Sequence, residues 1–298
     1  MVVFTISYFL NPISRFFAHN VFGSIYIGDF ILGLFVFGSG ASVPYFIKSR
    51  EKLPKLTIYL DLTERLIKLF LVSFISTPLF AGIYALDEVL LNAVVFTIVF
   101  LCVSYLSEVL LYVILTILIL GYFALIPGLF SFFSPSFYLG GYLSVPFYLI
   151  IGILGYLFSN SISQAFLVKF RYLFFLLCIS FLLLLFPPLK LLASPTFMIA
   201  SALIATFLFL ICEIISKAFS SFATISFLEY LGSKSLRIWL MMIFLFLLPA
   251  LIYTNFYQKI FLDEVTCVVI SFCFIGVCFY ISKLIDDLNL GFVNRWKL

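Results

Sequence analysis

The sequence predicts an all-α protein: a polytopic integral membrane helical bundle of about ten transmembrane helices, forming one domain over residues 1–298. Three observations lead there. Hydrophobic residues make up 65% of the chain and charged residues only 10%, with a mean hydropathy of +1.28. A water-soluble domain has no means of covering so much apolar surface. The apolar runs come in lengths near the ~20 residues that cross a hydrocarbon core of about 30 Å, and they lack the alternation of barrel strands. Finally, Lys and Arg gather on every second connection.

Taken in order, the spans read as residues 1–10, 28–47, 62–82, 88–105, 109–127, 143–158, 170–187, 195–215, 235–253 and 264–283. Turn residues punctuate them: Pro54, Pro127-Gly128, Pro187-Pro188, Pro195 and Gly232. The first span is short, since ten residues of helix rise only about 15 Å. It also lacks the basic start of a cleavable signal peptide. The expectation is a truncated first helix or a misassigned start site.

The net charge of +4 says little, but its distribution says more. Lys48, Arg50, Lys52 and Lys55 follow the second span, with Arg65 and Lys68 close behind. Lys169 and Arg171, then Lys217, Lys234 and Arg237, then Lys283, Arg295 and Lys297 fall on alternate connections. The opposite side receives only Arg15, Lys190 and Lys259. The basic side is expected to be cytoplasmic, as is the C-terminus, and the loop holding His19 extracytoplasmic. The six cysteines are scattered through apolar segments without a C-x-x-C pair, and His19 is the only histidine, so no metal site is expected. No repeat and no Gly/Ser linker divides the chain. Residues 216–234 read as an amphipathic piece along the membrane surface.

A few polar residues stand out against this background. Asp29 opens an apolar run, where a carboxylate caps a helix start or fixes a histidine or a polar substrate. His19, ten residues earlier, is an interfacial residue or a base able to take a proton from an amine or hydroxyl, or to carry an acyl group. The small residues of "GSGAS" (residues 38–42) suit close helix packing or a close ligand. In "YLGGYLSVP" (residues 138–146), Gly140 and Gly141 form a plain turn or expose backbone N–H groups to a phosphate or carbonyl oxygen. Lys190 and Glu213 either snorkel to an interface or bind something.

Together these residues resemble the heparan-α-glucosaminide N-acetyltransferases and related prokaryotic membrane proteins. That family carries an Asn, a His and, about ten residues on, an Asp opening a helix. Asn11, His19 and "DFILGLFVFGSGAS" are similar to this, with Gly33 where the family usually has Pro. "ERLIKLFL", "LILGYFALIPG", "GGYLSVPFYLIIGILGYLF", "FPPLKLLASPTFMIASAL" and "FLEYLGSKSLRIWLMM" resemble further family segments, in the family's order. The family's Arg-Gly opening helix is mostly missing, "PSFYL" replaces an acidic pair, Leu189 stands where an Asn is usual, and the Asn of the late motif is replaced by Lys234 or is shifted.

The resemblance implies transfer of an acetyl group from cytosolic acetyl-CoA, the co-substrate, to an amino sugar or related glycan or lipid acceptor on the far side. It implies His19 as base or acyl carrier, Asn11 as its hydrogen-bond partner and Asp29 as the group that steers a cationic acceptor or orients the histidine. Gly140, Gly141, Lys190 and Arg65 would bind substrate, with the basic loop Lys48–Lys55 meeting CoA phosphates or simply marking the cytoplasmic side. The partners expected are an acyl-CoA, the acceptor and the lipid bilayer, with a homodimer left open and no nucleic acid. Two other readings stand beside this one: a non-enzymatic lipid or saccharide flippase or scaffold, and an O-acyltransferase of surface polysaccharide.

Overall fold

The computed structural model describes residues 30–80, 88–129, 145–162, 166–181, 185–186, 194–218, 230, 232, 234, 237–238, 241–247 and 263–288. Their regular structure is all helical, joined by short turns, without a strand among the described residues. In chain order they form α1 (Phe30–Ser49), α2 (Lys55–Phe80), α3 (Glu88–Tyr105), α4 (Glu108–Leu129), α5 (Val145–Ile162), α6 (Phe166–Ser180), α7 (Pro195–Ala218), a π-helical segment (Met242–Leu247) and α8 (Glu264–Asp287).

Among the described residues, four helices are long and apolar enough to cross a membrane: α1, α5, Pro195–Ser216 within α7, and α8. Leu90–Tyr105, Glu108–Ala124 and Phe170–Ser180 are shorter apolar stretches. The expected count of ten is therefore not reached here. The first turns of α2 are too charged, and spans 1–10 and most of 235–253 lie outside the described residues. The amphipathic reading of 216–234 also falls largely outside them.

Local chemistry explains where several helices start. Ser194 caps α7, its Oγ accepting the Phe197 N–H at 3.2 Å, and Pro195 takes the first helical position, where a missing N–H costs nothing. Asp263 caps α8 by accepting from the Thr266 N–H at 3.0 Å. Pro54 ends the short turn after α1, and α2 begins one residue later.

The described chain falls into two compact units, one running to Leu210 and the other from Ile211 onward. In the first, α5 is the central helix, buried at every position from Ile150 to Gly155. Glycines put it there. A Cβ on Gly40 of α1 would strike the backbone carbonyl of Gly152, and one on Gly155 would strike the backbone of Phe37 and Ala41. In a bilayer the lipid tails are as apolar as the core, so close backbone approach carries much of the association. "GSGAS" is thus resolved as helix packing.

Side-chain contacts fix the helix directions in this unit. Phe30 meets Phe197, Gly33 meets Ser201, and Phe37 meets Phe209, so α1 and α7 run parallel. Gly33 nears Ile151 and Ala41 nears Gly155, so α5 runs with them. Phe46, late in α1, packs edge-on against Phe96 and Phe100 of α3, which shares that direction. The alternate helices run the other way: Tyr59 of α2 meets Tyr105 while Arg65 meets Phe96, Tyr122 of α4 meets Phe147, and Tyr172 of α6 meets Phe158.

The second unit is built differently. On α8, Cys267, Ser271, Cys278 and Ser282 form one buried stripe, while Val265, Val269, Phe272, Val277 and Tyr280 are exposed. Phe246 of the π-helical segment packs on Phe274, and Tyr230 meets Phe279 edge-on.

Candidate functional site

The first unit has two chemically opposite ends. At one, α1 and α3 finish and α2, α4 and α6 begin. Arg50 pairs with Asp61 at 3.6 Å and lies over the Phe46 ring at 4.0 Å. The hydroxyls of Tyr59 and Tyr105 hydrogen-bond at 2.6 Å, and Glu108 reaches Arg171 at 4.0 Å. Lys52 and Lys55 are exposed beside them. Arg65, expected to bind substrate, is half-buried at this end with its guanidinium 5.4 Å from the Phe96 ring centre. Of the basic loop, Arg50 is therefore already engaged, whereas Lys48, Lys52 and Lys55 are exposed.

The other end is where α1, α3, α5 and α7 all start. Buried, uncharged polar residues there are Asn92 on α3, Tyr148 on α5, Thr196 and Ser201 on α7 and Ser194 at its cap, and α3 itself opens on the acidic Glu88. The Ser194 and Thr196 hydroxyls hydrogen-bond at 3.0 Å. Asp29 directly precedes α1 in sequence, Gly140 and Gly141 lie just before α5, and Lys190 lies five residues before α7. Asn11, His19, Asp29, Gly140, Gly141 and Lys190 themselves lie outside the described residues.

The second unit brings Lys234 and Arg237, two of the basic residues counted for orientation, onto one carboxylate. The Asp286 carboxylate accepts from Arg237 Nη1 at 2.8 Å and from the Tyr230 hydroxyl at 2.9 Å, and pairs with Lys234 Nζ at 3.2 Å. Arg237 also donates to the Ser282 carbonyl and hydroxyl, each at 3.2 Å. Lys234 is thus one of two cations held by the Asp286 carboxylate. Asp286 itself was not singled out from the sequence, nor were Asn92 and Ser201. A lone amide within "LLNAVVFTIVFL" was the signal available for Asn92.

No cluster of His, Cys, Asp or Glu able to hold a metal occurs among the described residues. No protein-family model, curated protein or solved structure matches the chain.

Proposed function

We propose that this protein is a membrane-bound acyltransferase that moves an acetyl group from cytosolic acetyl-CoA to an amino sugar, or a related glycan or lipid acceptor, on the extracytoplasmic side. In this reading the chain crosses the bilayer ten times, with the basic end of the first unit and the C-terminus cytoplasmic and the His19 loop outside. The acceptor amine attacks the thioester carbonyl carbon. A C–N bond forms, the C–S bond breaks, His19 takes the proton from the amine, and the sulfur leaves as the CoA thiol once protonated. Asn11 holds the imidazole or the carbonyl oxygen, and Asp29 attracts the ammonium form of the acceptor. Lys52, Lys55 and Arg65 meet the CoA phosphates on the opposite side.

One observation carries the reading. Asp29, Gly140-Gly141 and Lys190, each from a different family-like segment, precede helices that are parallel and start at one end, while the basic residues gather at the other. The helix starts that follow these segments thereby share one end of the unit, opposite the cations suited to a nucleotide-bearing donor. The test is binding of acetyl-CoA to the detergent-purified full chain. Saturable binding that is weakened by the double change Lys52→Ala and Lys55→Ala is expected. A folded sample that binds none would contradict the proposal and favour a flippase or scaffold.

A further inference from the structure

Among the described residues, Arg65 is a guanidinium without a partner anion. It stands on α2 between buried Leu62 and Leu69, three positions before it and four after, so it faces the bundle and is half-buried. Its neighbour there is the Phe96 ring, 5.4 Å away. No carboxylate among the described residues pairs with it and none of them hydrogen-bonds it. Arg50 is near enough to repel it. A guanidinium cannot shed its charge to escape burial, so this corner calls for an anion.

Asp61 lies one turn before Arg65 on the same face of α2, where an acidic residue normally pairs. Arg50 holds it instead, Nε to Oδ2 at 3.6 Å. That separation is well beyond the roughly 2.8 Å of a charge-assisted hydrogen bond. Arg50 is placed by the Phe46 ring, 4.0 Å from its guanidinium, and by the Ser49 hydroxyl, which accepts from Nη1 at 3.2 Å. Phe46 in turn packs edge-on against Phe96, with ring centres 5.3 Å apart. The two guanidiniums thus flank one pair of rings and have one loosely held carboxylate for the two of them. Lys68, three residues on, is matched by Glu64 at 2.6 Å.

We propose that Arg50 and Arg65 form a clamp for a soluble phosphate monoester, with Asp61 as its built-in competitor: the carboxylate holds Arg50 until a phosphate takes its place. This deepens the acyltransferase reading above and rests on it only in taking CoA, through its 3′-phosphate, as the natural ligand. Two planar forks suit the oxygens of a phosphate dianion. A monoanion merely replaces Asp61 on Arg50, whereas a dianion also answers Arg65. A lipid phosphate carries the same chemistry, but the exposed apolar side of α2 is the opposite one. Leu60 and Ile67, five positions before Arg65 and two after, are 61% and 56% exposed there. Arg50 and Asp61 are themselves partly exposed, so the clamp opens to water.

The experiment measures binding of CoA, 3′-dephospho-CoA, inorganic phosphate and dioctanoyl phosphatidic acid to the detergent-purified full chain. CoA should bind about tenfold tighter than its dephospho form, and Arg65→Gln or Arg50→Gln should each erase that advantage. Asp61→Asn should tighten CoA binding several-fold, and should not do so when Arg50→Gln is also present. Glu108→Gln makes the same change in net charge at the same end and should leave the affinity unaltered. If an arginine variant does not fold, Asp61→Asn, a change at a partly exposed position, reads the same clamp. No tightening in Asp61→Asn, or equal tightening in Glu108→Gln, would overturn the clamp, as would tighter binding of phosphatidic acid than of CoA. CoA binding that none of the variants alters would also overturn it while leaving the acyltransferase reading standing. Inorganic phosphate bound through Arg65, with no binding of CoA, would keep the clamp and sink the donor reading.

Discussion

Glycine means opposite things at the α1–α5 seam of the first unit and on α8 of the second. In the first, Gly40, Gly152 and Gly155 are places where backbone meets backbone or a neighbouring helix, with no room for a side chain. In the second, Gly276 on α8 has nothing within 4 Å of the position its Cβ would take. The first unit is held by shape, through a central helix that others approach closely. The second, as described, ties α8 to the segment around Tyr230–Arg237 largely through one carboxylate shared by two cations and a phenol. A bilayer rewards both solutions, because neither depends on expelling water from apolar surface.

The sharpest break in this comparison comes from the glycines. Gly40→Leu should prevent recovery of folded, monodisperse protein, because the clash is with backbone and rotamer changes cannot relieve it. Gly276→Ala should be neutral or stabilising by up to about 1 kcal/mol, since it removes only a helix-interior glycine. Thermal unfolding in one detergent compares them directly, and a tolerated Gly40→Leu would show that the α1–α5 seam is not built on close approach.

The carboxylate should come next in size. Asp286→Asn leaves Arg237 and Lys234 facing each other without a countercharge, and a loss of about 1–3 kcal/mol is expected. The partial exposure of all three side chains keeps it below a fully buried pair. A double-mutant cycle with Arg237→Ala should give a favourable coupling, and additivity would mean that the pair contributes nothing.

The smallest effect belongs to the start of α8. The Thr266 hydroxyl and N–H hold Asp263 below its usual range. A depressed carboxylate stabilises the fold above its unfolded value of about 3.9 and loses that contribution as pH falls through the lower folded value. Asp263→Asn keeps a cap but has no charge to titrate, so its acid-unfolding curve should lack that component. Identical acid curves for the two proteins would remove the cap from the account.

Much of the first unit was legible in the sequence. The expected span 88–105 coincides with α3, 28–47 falls within two residues of α1, and 195–215 lies within α7. Long apolar runs and their Pro, Gly and Ser punctuation set these boundaries locally. Span 62–82 missed the start of α2 at Lys55, because hydropathy marks where charge ends, whereas the helix continues past it. Span 170–187 missed the start of α6 at Phe166, and its residues 182–184 and 187 lie outside the described residues. Neighbours were not legible. Nothing local tells Gly40 that it will meet Gly152, or Lys234 that it will meet Asp286, since those pairings cross more than a hundred residues in one case and about fifty in the other. For the site, Arg65 emerged half-buried among the basic groups, while Asn92 was passed over because a single amide in an apolar helix looks tolerable until its partners are sought.

The central claim is vectorial acetyl transfer, and sealed vesicles of known orientation test it most directly. Acetyl-CoA bearing a labelled acetyl group is supplied only on the side of Lys48–Lys55, with glucosamine only on the other. The account predicts labelled N-acetylglucosamine in the glucosamine compartment for the wild type, and none for His19→Ala at equal amounts of folded, inserted protein. Equal transfer by His19→Ala, or no transfer by a correctly oriented wild type, would contradict it.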